Sequence, residues 1–245
     1  VYQFWKSREI EGKIKTVTVK RTPLGEMFMF VTVDAPSEPT VKVETGKSAG
    51  FDFGLKTFLT TSEGFSIDAP LFFKQSLREI QKANRELSRK QKGSHNRERA
   101  RKNLVRRHED IVHRREDWFW KLAHWLTDRF DVLYFETLNL KAMQRLWGRK
   151  VSDLGFRSFL QILEWVAQKK GKAVVHIDRW FPSSKTCSGC GYVLDELDLS
   201  VRRWRCRSCG LKNDRDENAA INVKQVGATT CGRGKVSQAQ PAFTV

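Results

Sequence analysis

Apolar and polar positions alternate first along residues 13–33. Lys13 to Arg21 (KIKTVTVKR) interleaves β-branched and basic residues, Thr22-Pro23-Leu24-Gly25 reads as a turn, and Met27 to Val33 continues apolar, which predicts a hairpin. Pro36 and Pro39 bracket a short connector. A new unit opens near Lys47. Ala49 to Phe53 and Thr57 to Thr61 read as strands parted by Gly54, and a turn at Ser62-Glu63-Gly64 leads to a third around Phe65 to Ile67, an antiparallel meander. From Phe72 to Phe130 the period becomes helical. Leu77, Ile80 and Leu87 share a face, Gly93-Ser94 interrupts it, and Leu104, Ile111, Trp118, Leu122 and Leu126 resume it, predicting an antiparallel helical pair. Asp131 to Phe135 (DVLYF) has the composition of a buried strand. Asp153 to Lys170 is an amphipathic helix ended by Gly171, Ala173 to Ile177 a further strand, and Asp214 to Val226 a last helix. A meander followed by helices, strand, helix and strand is a mixed α/β order that calls for parallel strands.

Composition narrows the function. At 245 residues and 40% apolar, the chain can bury a sizeable core, as one large domain or a domain with a small appendage, and wholesale disorder is excluded. Lys+Arg total 45 against 28 Asp+Glu, and the net charge of +17 points to a polyanionic partner, most simply nucleic acid. Between Lys74 and Arg115 stand 15 basic residues against five acids, Arg106 and Arg107 among them. Such a surface is either a solvated helical face or a phosphate-contacting one, and the overall charge favours contact with phosphates. No apolar run approaches the ~18 residues that span a bilayer, so no membrane is expected. Five cysteines at these spacings do not form a disulfide framework and no secretory leader is evident, so a reducing, cytoplasmic setting near the nucleoid is expected. The chain opens on Val1, which suggests a fragment or processed product.

Cys187-Ser188-Gly189-Cys190 is followed, after 15 intervening residues, by Cys206-Arg207-Ser208-Cys209. Two C-x-x-C knuckles at this separation specify a four-thiolate zinc site, one structural Zn²⁺ with no position left for a catalytic water. Arg202, Arg203, Arg205 and Arg207 crowd the second knuckle around Trp204. Basic residues interleaved with an aromatic suit single-stranded nucleic acid; ordinary surface charge accounts for them equally well. Cys231 has no partner and reads as a bystander.

Acids mark a second centre. Asp52 sits inside an otherwise apolar strand (Gly50-Phe51-Asp52-Phe53-Gly54), where a carboxylate is costly unless a cation neutralises it. Glu136 directly follows DVLYF, and Asp214 and Asp216 open the last helix; on local grounds Asp214 is also a good helix cap. A strand acid, an acid ending a later strand and an acid on a following helix are the parts of a two-metal nuclease centre, in which two Mg²⁺ ions take oxygen ligands. H-E-x-x-H, a phosphate loop ending in G-K-[ST] and a G-x-S-x-G elbow are all absent from the sequence, leaving those chemistries without support.

The segments GFDFGLKTFLTTSEG, LYFETLNLKAM, FPSSKTCSGCG, VRRWRCRSCG and NDRDENAAIN resemble, in order, the TnpB family of transposon-encoded RNA-guided nucleases, related to type V CRISPR effectors. The resemblance covers roughly Gly50 to Val226. It implies an RNase H-like (RuvC) α/β fold: a mixed sheet with helices, a basic helical-hairpin insertion and an inserted zinc ribbon. It also implies a noncoding guide RNA, target DNA and cleavage beside a short transposon-associated motif. Asp52 matches the first catalytic acid and Glu136 the second. The second Asp of D-R-D-x-N-A-A, here Asp216, matches the third, with Asp214 the runner-up, and the four cysteines match the zinc ligands. The order Asp, Glu, Asp suits a RuvC-type site better than the Asp, Asp, Glu of cut-and-paste transposases. On this reading residues 1–46 are a β-rich remnant of an amino-terminal wedge-like domain. Residues 47–182 are the nuclease core with the basic pair at 72–130, 183–212 the zinc ribbon, 213–226 the last RuvC-like helix and 227–245 a flexible tail. The same reading implies that most of the amino-terminal half of such proteins would be lacking here. A non-cleaving repressor or accessory subunit, and a guide-independent nuclease resembling Holliday-junction resolvases, are the competing readings.

Overall fold

The computed structural model describes residues 4–7, 9–34 and 44–231. The connector at Pro36 and Pro39 and the tail beyond residue 231 lie outside these residues. Two compact units form, one from the amino-terminal hairpin with Gln75–Arg114, the other from Val41–Lys74 with Arg115 onward.

In the first unit β1 (Lys13–Arg21) and β2 (Met27–Asp34) pair antiparallel, and the Gly25 N–H donates to the Thr22 carbonyl at 2.9 Å to close the expected turn. Helices α1 (Phe72–Ser88) and α2 (His95–Arg129) run antiparallel through this unit. The Arg107 guanidinium bonds Glu79, and Arg97 Nη1 donates to the Leu87 and Lys90 carbonyls at 3.0 Å each, across the break at Gly93. Ile80, Ala83 and Ile111 are buried, and the remaining faces carry the basic residues.

The second unit is built on a five-stranded sheet. Strands β3 (Ser48–Phe53), β4 (Thr57–Thr61) and β5 (Ser66–Asp68) form the meander, and β6 (Val132–Glu136) and β7 (Ala173–Ile177) extend it in the order β5-β4-β3-β6-β7. β3, β6 and β7 are mutually parallel, as the α/β order requires. Helices α3 (Leu140–Leu154) and α4 (Phe156–Lys169) cover one face with the carboxyl-terminal part of α2. Phe51 stacks on Phe135 at 4.9 Å between ring centroids there, and Phe53, Phe119, Phe156, Phe159 and Leu163 are buried around them. β8 (Arg203–Arg205) and β9 (Lys212–Asp214) form a small hairpin, and α5 (Arg215–Cys231) crosses the opposite face of the main sheet.

Two glycines permit that crossing. A Cβ at Gly50 would lie 2.1 Å from the Ala220 carbonyl oxygen, and one at Gly227 2.1 Å from the Tyr134 ring, so α5 sits closer to the strands than any side chain allows. Three expected boundaries change accordingly. Gly227 lies inside α5, which runs to Cys231 rather than stopping at Val226. The single helix expected from Asp153 to Lys170 is divided at Gly155 (φ 61°), a left-handed residue that ends α3 and starts α4. α3 itself was not anticipated from the pattern, and its Gly148 (φ 43°, ψ −115°) breaks the helical backbone.

Asp131 ties the start of β6 to the segment before β3. Its carboxylate accepts from Thr45 N (2.8 Å) and Gly46 N (2.6 Å) and bonds the buried Lys172 ammonium. Desolvation pushes its pKa up, but the Lys172 ammonium and the Thr45 and Gly46 N–H groups outweigh this and hold it well below the usual carboxylate range. A depressed folded-state pKa gives stability that is present above the unfolded value of about 3.9 and is lost as pH falls below it. Asp131→Asn is therefore expected to cost about 2 kcal/mol at pH 7, and the gap to wild type should narrow progressively as pH falls from about 4 towards the depressed folded-state value. Urea midpoints across that range measure it; a gap independent of pH would refute the assignment.

Candidate metal centres

The alternation of β3 and β6 places the acids. The parallel register Phe51↔Phe135 sends both phenylalanines into the core, so Asp52 and Glu136, one residue further on each strand, face α5. The first turn of α5 brings Asp216 to the same end. Asp214 Oδ1 accepts from the N–H groups of Asp216 (3.2 Å) and Glu217 (3.4 Å), so Asp214 is the cap of α5. Both oxygens of Asp216 accept from Arg202 Nη1 at 3.1 Å. Glu136 Oε1 accepts from the Ser183 hydroxyl.

Burial raises the Asp52 pKa well above the ordinary range, the charges of Glu136 and Asp216 raise it further, and Arg215 and Arg202 oppose them. Burial also raises Glu136, against the Ser183 hydrogen bond. Three carboxylates thus share one end of the sheet, and Asp52 is stable as an anion only with added positive charge. An oxygen-only ligand set of this kind fits Mg²⁺.

The four-cysteine cluster is built on two turns. Cys187 N donates to the Tyr192 carbonyl at 2.8 Å, Gly191 N to Cys187 O at 2.8 Å, and in the second knuckle Gly210 N donates to Cys206 O at 3.0 Å. Cys187 Sγ lies 3.7 Å from Cys209 Sγ, and Cys190 Sγ 3.6 Å from Cys206 Sγ. Four sulfurs at 2.3 Å from a tetrahedral zinc would stand about 3.8 Å apart, so the donor set fits the ion. Desolvation disfavours the Cys187 thiolate, but the Gly189 and Cys190 N–H groups and the Cys209 and Cys206 thiols bring its pKa down to about 6. Among the described residues these thiols are the group of potential ligands whose donor atoms all lie within 4.8 Å of one another; the carboxylates are spread more widely, with Asp216 engaged by Arg202.

The candidate nucleic-acid residues are distributed across the chain. Arg203 is exposed on β8, and Arg202 is committed to Asp216. Arg106 and Arg107 belong to the other unit, where both are exposed and Arg107 is paired with Glu79. Sequence reasoning missed Ser183, which bonds Glu136, and Asn218 and Asn222, which bond the Ser183 carbonyl; all three are buried. Their signal was present only as polar residues inside the quoted FPSSKTC and NDRDENAAIN segments.

Residues 29–146 match the OrfB_IS605 family, described as "Probable transposase", and residues 156–223 match the Cas12f1-like TNB domain. A "Putative RNA-guided DNA endonuclease" from Streptomyces pristinaespiralis is 36% identical over 94% of this chain and 57% of its own length. "TnpB-like protein L79" from Acanthamoeba polyphaga mimivirus is 36% identical over 44% of this chain and 22% of its own. The chain therefore spans little more than half of the Streptomyces relative. A CRISPR-Cas12f ternary complex matches with TM-score 0.55 at 20% identity, over 85% of this chain and 44% of that one. Cas12f1 bound to sgRNA and target DNA matches with TM-score 0.52 at 18% identity, over 85% and 55%. At these identities the structural likeness establishes the fold, the RNase H-like mixed sheet expected from the sequence. No helix among the described residues is long and apolar enough to cross a membrane.

Proposed function

The chain belongs to the TnpB family, and from that premise we propose that it supplies the nuclease half of an RNA-guided, transposon-associated DNA endonuclease. The observation that carries the reading is the convergence of Asp52, Glu136 and Asp216 at one end of the sheet, with burial and mutual repulsion demanding a cation. Two bound Mg²⁺ ions would supply Lewis acidity and an activated water for phosphodiester hydrolysis. Asp52 and Glu136 would hold them from adjacent strands and Asp216 from the start of α5. Asp214 caps that helix, so the Asp216 carboxylate is not tied to the helix N–H groups, and its observed partner is Arg202. The net charge of +17 supports a noncoding guide RNA and target DNA as the partners. The site of action is then wherever the cell keeps its DNA, the nucleoid in a prokaryote.

Purification from cells carrying the native locus, followed by sequencing of the bound RNA, tests the guided part. A discrete structured RNA with a variable end is expected, and adding it with Mg²⁺ should direct cutting of matched DNA. Cutting without any enriched RNA would reduce the function to a plain nuclease.

A further inference from the structure

Behind Glu136 lies a buried polar clamp that the proposed chemistry does not itself use. Asn218 and Asn222 stand one turn apart on α5, each 2% exposed. Asn218 Nδ2 donates to the carbonyls of Ser183 (3.2 Å) and Thr186 (2.7 Å), and Asn222 Nδ2 to the same two at 2.8 and 2.7 Å. Asn218 Oδ1 accepts from Ser188 N at 2.9 Å. Residues 183–188, the turn that enters the first zinc knuckle, are thus fastened to the helix that carries Asp216. Within that turn Thr186 N and Oγ1 both donate to the Pro182 carbonyl, at 3.0 and 2.9 Å. Ser183, 5% exposed, directs its hydroxyl from the fastened turn to Glu136 Oε1.

A carboxylate side chain has three rotatable bonds, and β6 fixes only the first atoms of Glu136. The strand end is held by Thr137, whose N–H and hydroxyl both donate to the Ile177 carbonyl at 3.2 and 2.8 Å. The distal oxygens need a separate hold. One oxygen bonded to Ser183 leaves the other as the natural metal donor and restricts its direction. We propose that Ser183 is a positioning residue for Glu136, and that the Asn218–Asn222 clamp makes this hold depend on the zinc-bound turn. The proposal rests on the nuclease reading of the acids. It assigns the ribbon a task inside the metal centre, beyond any contact the ribbon makes with nucleic acid.

Mn²⁺, titrated calorimetrically into the zinc-loaded protein, is the probe, with zinc content and melting temperature measured alongside. Ser183→Ala should weaken Mn²⁺ about 10–100-fold, the usual effect of losing a partner of a metal ligand. Glu136→Gln should weaken it at least as much. If Glu136→Gln leaves Mn²⁺ affinity unchanged, the reading of the acids as a metal site fails. If Glu136→Gln weakens it while a zinc-replete, normally melting Ser183→Ala binds like wild type, only the positioning role fails. Should the alanine variant melt early, Ser183→Thr and Ser183→Val decide, because they share one shape and differ only in the hydroxyl. Tighter Mn²⁺ binding by the threonine variant supports the role, and equal binding by the two overturns it.

Discussion

Asp52→Ala is expected to lower Mg²⁺-dependent cleavage by on the order of 10³-fold or more, the equivalent of the several kcal/mol that metal-assisted charge stabilisation supplies, while RNA and DNA binding survive. The residue is chosen by the sheet. Phe51 and Phe53 anchor β3 in the aromatic core, so the intervening side chain must face α5 and the other two acids. Nothing in that core depends on the carboxylate, and the fold should persist. Asp52→Asn makes a sharper test because it has two effects of opposite sign. Its amide cannot replace the anion toward a metal, so cutting is lost. Without metal, however, the wild-type anion is a cost: burial, Glu136 and Asp216 all raise its pKa. A raised folded-state pKa means stability is full below the unfolded value of about 3.9 and declines as pH rises through the folded value. The asparagine variant should therefore melt a few degrees higher than wild type in Mg²⁺-free buffer at pH 8, at roughly 2–4 °C per kcal/mol for a domain of this size. The two should converge in acid. Cleavage by Asp52→Asn at the wild-type rate would falsify the site, and an unchanged melting temperature would show that Asp52 is not under the electrostatic stress described.

The candidate acids and the four-cysteine cluster were legible because their signals are local. A charge inside GFDFG breaks a two-residue period, and two C-x-x-C turns specify a tetrahedron by spacing alone. The choice between Asp214 and Asp216 was not local in this sense, and resemblance had to make it. The structure gives the two acids different surroundings: Asp214 caps the helix, and Asp216 bonds Arg202 and lies near enough to Asp52 for its charge to raise that residue's pKa. Gly227 misled for a physical reason. Glycine after a periodic run usually ends a helix, but here it serves the close approach of α5 to Tyr134, a tertiary demand that a helical pattern does not encode. α3 was hidden by Gly148, and Gly155 was absorbed into one continuous helix although its left-handed backbone separates two. Ser183, Asn218 and Asn222 look like solvent-facing residues until the 35 to 39 residues between them are folded, whereupon all three are buried and bonded. Asp153 is a similar case. Its carboxylate accepts from the Phe73 and Lys74 N–H groups at 2.9 and 3.2 Å and caps a helix 80 residues away.

Cys187→Ser is expected to remove the zinc and unravel the ribbon while leaving the main sheet folded. The ribbon has little else to hold it: its buried apolar residues are Leu194 and Trp204, and the other two members of that small core are the ligands Cys187 and Cys206 themselves. A cluster of this size cannot offset the entropy of ordering some thirty residues. Zinc bound to four thiolates can, since structural sites contribute about 10–16 kcal/mol of apparent binding free energy. Elemental analysis should fall from one zinc per chain towards none, and limited proteolysis should open new cuts between Cys187 and Asn213 with the five-stranded unit still resistant. The effect should also reach the acids. Cys187 belongs to the turn that Asn218 and Asn222 fasten, and the Ser183 hydroxyl is presented from that same turn. If loss of zinc frees the turn, Mn²⁺ affinity should fall to the level of Ser183→Ala, and combining the two substitutions should cost little more than either alone, the mark of residues acting through one contact. Full zinc retention by Cys187→Ser would refute the four-thiolate site. Zinc loss with wild-type Mn²⁺ affinity would separate the two centres, leaving the ribbon structurally dependent on its metal but without a hold on Glu136.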